Sequence, residues 1–275
     1  MTGWIILSGT WNLTIDNTVD NSIKGIATSV GVAANLTFAL DAGAIDSYDG
    51  TSQSFLDQTA NNVDLWRGGS NAVATDDPTY SGTPGEVSTN EYFTNDGSDF
   101  FKGQSMPSSL AQLHYTGATW SKIFALWTPN ITTDSTFFWT GTTQNRDGVS
   151  LYLGSNETIG FRRANTASQA VIATSTAAVN IGAWNVVGYS IDEAAGAAGS
   201  YLYVNGTIET FDGSYAAGGV LDSTAWNIGG RNSLTDQILP DTTRLSGAQG
   251  YNPDLSQVNM SAIGTKWGNR FGLMI

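Results

Sequence analysis

The sequence predicts an all-β protein, a sandwich of two antiparallel sheets. Three observations carry this. The 275 residues include nine Trp, 32 Gly and no Cys, with only 13% charged residues, a make-up suited to aromatic and β-branched strands joined by polar turns. Glu and Lys are too scarce for a helix-rich fold, with five Glu in the whole chain and no long run of good helix formers. The strongest periodicity, between Trp120 and Arg231, alternates apolar and polar residues and breaks at turn residues. Sandwiches of about 200–250 residues routinely fold as one unit. No linker and no fixed-period repeat divides this chain.

Residues 1–35 form an N-terminal extension or attachment segment, and residues 36–275 the sandwich. Within the extension, residues 8–16 alternate as a half-buried strand does, residues 16–22 are a loop, and residues 30–38 are a second candidate strand. Trp4, Ile5, Ile6 and Leu7 are consecutive large apolar side chains near a chain end. They are candidate partner contacts, since an exposed apolar patch asks for cover; they would serve equally to complete the sandwich's own sheet. From Leu40 to Gly103 strands are short and turns long. Residues 76–85 are a loop, and residues 93–101 look like two short strands around the Asp96-Gly97 turn.

Residues 123–127, 136–140, 149–153, 158–162 and 170–174 are strand-length runs, separated by turns such as Pro129-Asn130 and Asp147-Gly148. Residues 184–192 follow. The Tyr201-Leu202-Tyr203-Val204 and Thr207-Ile208-Glu209 runs flank Asn205-Gly206, the strongest short-range hairpin signal, because both turn residues need φ > 0. Alternation puts Tyr201 and Tyr203 on one face, Leu202 and Val204 on the other. Trp127, Trp139 and Trp184 sit in apolar strands and are expected in the core. Residues 253–263 hold a turn or two of helix, starting near Pro253.

Several of these segments form an ordered series: Phe124-Ala125-Leu126-Trp127, Thr136-Phe137-Phe138-Trp139, Trp184-Asn185-Val186-Val187-Gly188-Tyr189-Ser190, Leu202-Tyr203-Val204-Asn205-Gly206 and Trp226-Asn227-Ile228-Gly229-Gly230-Arg231. This series resembles the laminin-G-like, concanavalin A-like family of jelly-roll domains. Leu40-Asp41-Ala42-Gly43-Ala44-Ile45-Asp46-Ser47-Tyr48-Asp49-Gly50, followed by Asn95-Asp96-Gly97-Ser98-Asp99-Phe100, looks like the opening of this domain in bacteriophage structural proteins. Residues 245–252, with Leu255-Ser256 and Asn269-Arg270-Phe271-Gly272, resemble its closing stretch.

The resemblance spans roughly residues 40–275 and implies a concanavalin A-like antiparallel β-sandwich. It further implies a non-enzymatic virion structural protein, such as a capsid decoration protein or fibre component. That protein would pack against major capsid or tail proteins and form a homo-oligomer or sit on a symmetric lattice. The alternative it suggests is a carbohydrate-binding, lectin-like module for cell-surface glycans, with Tyr201, Tyr203, Tyr215 and Trp226 as the ligand-binding candidates.

A net charge of −13 excludes a nucleic-acid partner, which would need clustered Lys and Arg. No stretch approaches the ~20 apolar residues of a membrane span. The start lacks the basic region and longer apolar core of a cleaved signal. The expectation is a protein made in the host cytoplasm without a signal peptide and displayed on the particle surface. Nor does a catalytic constellation emerge. A retaining glycosidase needs two carboxyls about 5–5.5 Å apart, and none of Glu86, Glu91, Glu157, Glu193 or Glu209 belongs to a Glu-x-Asp-x-Glu strand. The single His, His114, lies in a short apolar run without a nucleophile motif. With one His and no Cys, a zinc site is excluded. No cofactor is required; calcium stays open, with Asp134, Asp147, Asn205 and Asp222 as loop oxygens but no dense acidic loop and no ligand set.

Overall fold

Alternation along the central strands turns into two stacked antiparallel sheets. The computed structural model describes residues 20–111, 117–141, 148–165, 168–211, 225–230 and 238–275. Along the chain come helix α1 (Ile23–Val30) and strands β1 (Leu36–Asp41), β2 (Ser54–Phe55), β3 (Leu65–Arg67), β4 (Thr79–Ser81), β5 (Tyr92–Thr94) and β6 (Phe101–Gly103). A helical turn, α2 (Ser108–Ala111), precedes β7 (Thr119–Thr128), β8 (Ser135–Thr140), β9 (Gly148–Leu153), β10 (Thr158–Asn165) and β11 (Ser168–Ala178). Then follow β12 (Ala183–Asp192), β13 (Tyr201–Val204), β14 (Thr207–Thr210), β15 (Trp226–Ile228), β16 (Arg244–Tyr251) and helix α3 (Gln257–Arg270).

The first sheet has eight strands in the order β14-β13-β12-β7-β16-β5-β4, with β1 also on β16; the second, also eight-stranded, runs β11-β10-β9-β8-β15-β6-β3-β2. The expected all-β sandwich is therefore present. The β13–β14 hairpin turns at Asn205 (φ 46°) and Gly206 (φ 91°), as the Asn-Gly signal requires. Residues 93–101 depart from expectation, because β5 joins the first sheet and β6 the second. Between them Asn95 donates its amide to the Asp99 carbonyl and accepts from Gly97 N–H at 2.7 Å, making a crossing loop in place of a hairpin turn.

Between the sheets lies one continuous core. Phe38, Phe93, Phe124, Leu126, Tyr189 and Leu202 from the first sheet meet Phe55, Phe101, Phe138, Leu151, Phe161 and Trp226 from the second. Edge-on ring pairs tie the layers, including Phe93–Phe101 at 5.0 Å and Phe124–Phe137 at 5.2 Å, each adding about 0.5–1.5 kcal/mol beyond area burial. Lys122 shares this interior. It is 1% exposed and lies across from Gly250, its ammonium 5.0 Å from the Phe38 ring and 5.8 Å from Trp120. No described carboxylate pairs with it, and burial brings the amine down to about 7.

The outer face of the first sheet carries a second core. Alternation turns Ile123, Ala125, Val186, Tyr201, Tyr203 and Tyr251 outward, and α1 and α3 cover them with Ile23, Ile26, Met260, Ile263 and Trp267. α1 lies between the loop expected over residues 16–22 and the strand expected over residues 30–38, of which only Leu36–Phe38 are extended, as the start of β1. Ser22 caps the helix by accepting from Gly25 N–H at 3.1 Å, and Gly31 ends it with φ 80°. Of the extension expected over residues 1–35, the described part from Asp20 thus packs onto the sandwich. α3 is longer than the expected turn or two and starts later, capped by Ser256, which accepts from Asn259 N–H at 3.2 Å.

One carboxylate fastens both helices. Asp41, at the end of β1, is fully buried and takes Arg270 of α3 on both oxygens at 2.8 Å. It also accepts the Ile23 N–H at the start of α1, at 2.9 Å. A bidentate pair with further N–H donors satisfies the charges that burial would otherwise penalise.

Candidate functional site

α3 does not cover the whole outer face. At its C-terminal end Phe271 stacks on Trp184 with ring centroids 4.6 Å apart, and beyond that contact the face is open to solvent. Four adjacent strands place side chains there. Trp184 on β12 pairs directly with Trp127 on β7, and Trp127 directly with Arg244 on β16. Arg244 lies opposite Thr94, two residues from Tyr92 on β5. The Arg244 guanidinium stands 4.6 Å from both the Tyr92 and Trp127 ring centroids, and Tyr92 meets Trp184 edge-on at 5.9 Å. Tyr92, Trp127, Trp184 and Arg244 are all half-buried. Each is fixed by a strand ladder, and rigid elements hold side chains more precisely than loops do.

Next to this row runs a polar cleft of about 470 Å³ between α1, α3 and residues 87–89. Asn21, Ser29, Ser88, Thr89, Lys266 and Asn269 are among its lining residues, and Asp20, the first described residue, borders it. The two features are continuous through the chain: Arg270, whose Nε donates to the Ser88 carbonyl at 3.2 Å, precedes Phe271, and Thr89 precedes Tyr92. Glu91, 1% exposed, folds residues 88–91 back on themselves by accepting from the Ser88 N–H and hydroxyl at 2.7 Å each.

Three of the four aromatics expected to contact a ligand lie inside the protein. Tyr201 and Tyr203, 3% and 0% exposed, are under α3. The Tyr201 hydroxyl donates to the Leu255 carbonyl at 2.7 Å. Gly264 lets α3 come down onto the Tyr203 hydroxyl, where a Cβ would collide, and burial pushes that phenol up to about 12. Trp226 is 0% exposed in the inter-sheet core, its Nε1–H donating to the Ser105 carbonyl at 2.8 Å. The rim expected from these residues is not present, because a roofing helix and the opposite sheet take their faces. The reverse holds for Trp127 and Trp184. Expected in the core, they point away from the second sheet on the outer face; Trp139 is buried, at 1% exposed. Tyr215, His114 and the candidate contacts Trp4, Ile5, Ile6 and Leu7 lie outside the described residues, as do Asp147 and Asp222.

The other candidate calcium oxygens have internal partners. Asp134 pairs with Arg162 at 2.9 Å and accepts from Ser155 N–H at 3.0 Å; Asn205 accepts from Val186 N–H at 2.8 Å. Among the described residues no group of three His, Cys, Asp or Glu stands close enough to hold a metal ion. In the crossing loop after β5, burial beside Asp96 and Asp76 pushes the Asp99 carboxyl up to about 7. The sequence did not single out Tyr92 or Arg244. Their signal is positional: Arg244 occupies an outward register on β16 opposite Trp127 of β7, and Tyr92 an outward register on β5, one strand further on.

Neither a protein-family model nor a curated protein matches the chain in sequence. Solved structures match in fold. The binding domain of botulinum neurotoxin serotype G is similar over 86% of this chain and 51% of its own, at 13% identity and a TM-score of 0.60. Domain 4 of a GH43 extracellular arabinanase from Geobacillus stearothermophilus, solved with arabinotriose, is similar over 84% of this chain and 98% of its own, at 13% identity and 0.56. Trypanosoma rangeli sialidase in complex with sialic acid is similar over 84% of this chain at 11% identity and 0.57. This chain spans only about a third of that sialidase (33%). At these identities the shared property is the β-sandwich fold.

Proposed function

We propose that this chain is a non-catalytic carbohydrate-binding module that holds saccharides against Tyr92, Trp127 and Trp184. The observation that carries the reading is this row of half-buried rings on β12, β7 and β5, with Arg244 of β16 between the last two, on an otherwise roofed face. A pyranose presents an apolar C–H face and a hydroxyl rim. Covering roughly 60 Å² of ring at about 25 cal/mol per Å² contributes about 1.5 kcal/mol, close to tenfold in affinity. The cleft next to the row supplies Ser, Thr and Asn groups for the hydroxyls. Domain 4 of the arabinanase, of the same fold and nearly the same extent, was solved with a trisaccharide, which supports this reading over a purely structural role.

The test is a panel of immobilised oligosaccharides, with and without calcium, probed with the wild-type chain and with Trp184→Ala and Trp127→Ala. Binding that drops about tenfold in both variants is expected. Absence of any saccharide binding, or binding indifferent to both changes, would overturn the proposal.

The virion setting implied by the resemblance of residues 40–50 and 95–100 concerns where such a module works. In that setting the module would decorate a particle, attach through Trp4, Ile5, Ile6 and Leu7, and hold host-surface glycans with its aromatic row. Removal of residues 1–19 should then abolish incorporation into particles while leaving saccharide binding intact.

A further inference from the structure

We propose that the aromatic row selects carboxylated sugars and that Arg244 is the group that recognises the acid; this rests on the carbohydrate-binding reading above and names its ligand class. Arg244 differs from the other arginines of the described structure. Arg67 donates to the Pro78 carbonyl and the Tyr48 hydroxyl, Arg162 pairs with Asp134, Arg163 with Glu193 and Arg270 with Asp41. The Arg244 side chain makes no hydrogen bond and no ion pair with any described residue, and its nitrogens are not among the buried, unpartnered polar atoms. Its guanidinium is held instead by two rings, Tyr92 and Trp127, each 4.6 Å away. Its edge donors are therefore free and face solvent.

Stacking leaves those donors in the plane of the group, and it fixes that plane before any ligand arrives. A carboxylate is the complement. Its two oxygens accept parallel N–H bonds from the fork, whereas a sugar hydroxyl accepts one. A uronic or sialic residue lying on Trp127 or Trp184 would bring its ring face to the indole and its carboxylate to the guanidinium together. General attraction of anions cannot account for such a preference, because the chain carries a net charge of −13. That repulsion acts at long range and decays over about 8 Å at physiological salt. Selectivity therefore has to come from the fork at contact distance, and it should survive physiological ionic strength.

The experiment uses matched saccharide pairs that differ only in the acid. Trigalacturonate is compared with its methyl ester, and sialyllactose with its carboxyl methyl ester, by calorimetry on the wild-type chain, Arg244→Met and Arg244→Lys. The acid member of at least one pair should bind roughly five- to tenfold more tightly to wild type at 0.15 M salt. That margin should vanish in Arg244→Met and shrink in Arg244→Lys, which keeps the charge but not the fork. Which pair shows the margin separates the two sources of sugar carboxylate. Equal binding of acid and neutral members, or a margin that persists in Arg244→Met with unchanged circular dichroism, overturns the selection and leaves the aromatic platform standing. No binding by any saccharide overturns both.

Discussion

The two ends of one sheet face carry the same kind of side chain and differ in what covers them. At one end Tyr201, Tyr203 and Tyr251 are sealed beneath α3; at the other Tyr92, Trp127 and Trp184 stay half-exposed past Phe271. Strand chemistry does not distinguish them, since both sets are outward aromatics on strands of the same sheet. The covering is decided by a helix more than fifty residues further along the chain from β13, held down by Asp41 and Arg270. An aromatic strand becomes packing or a binding surface according to whether a remote element reaches it.

The largest expected effect comes from lifting the cover. Asp41→Ala leaves Arg270 buried without its carboxylate and the α1 start without an acceptor, and should cost about 3–5 kcal/mol in denaturant unfolding. If the loss were under about 1 kcal/mol, the pair would not be what holds the two helices. Next in size is Lys122→Met, a change on the inner face of the same sheet, where a charge has no such partner. Replacing it by an apolar side chain of similar length should stabilise by about 1–4 kcal/mol.

The sign of its pH dependence follows from burial. Folding lowers the Lys122 pKa to about 7 from an ordinary 10.5, so between those values the unfolded chain holds the extra proton. Its contribution to stability therefore rises with pH across that window. The difference in stability between wild type and Lys122→Met should narrow from pH 7 to pH 10. A constant difference would show that the amine is not desolvated.

Gly264→Ala tests the fit of the cover. Helix propensity favours Ala by about 1 kcal/mol, but the new methyl would meet the Tyr203 hydroxyl, an overpacking worth about 1–3 kcal/mol. A net loss of up to about 2 kcal/mol is expected, read as a lower unfolding midpoint. The smallest effects form a contrasting pair. Tyr201→Phe removes the bond to the Leu255 carbonyl and should cost about 1 kcal/mol of stability with no change in saccharide binding. Trp184→Ala should lower affinity about tenfold. Loss of binding in Tyr201→Phe with binding retained in Trp184→Ala would reverse the assignment of the two ends.

Much of the sandwich was legible because its central strands alternate. β7, β8, β9, β10, β12 and β13 all fall on apolar-polar runs closed by turn residues, and Asn205-Gly206 marked its hairpin. The helices were less so. α1 is eight residues with Gly25 and four β-branched residues, Ile23, Ile26, Thr28 and Val30, a poor composition for a helix, and the Ser22 cap was the signal passed over. Residues 93–101 held a turn sequence, yet Asn95 uses it to cross between sheets. The candidate site was the least legible part. Period-two alternation correctly separates Tyr203 from Val204, but it does not say which face a helix will cover, and so Trp226 and Trp184 exchanged their expected surroundings.

The pairing of β1 with β16 has a consequence for synthesis. Leu40 lies against Ala248 and Asp41 against Gly247, and β7 uses the other side of the same strand. A nascent chain must carry β1 and β7 as unjoined edges until β16 emerges from the ribosome, some two hundred residues after β1. Contacts of such separation make closure slow, and open strand edges invite self-association in the meantime. Yield in cells should therefore depend more on chaperone supply and growth temperature than the stability of the finished sandwich would suggest.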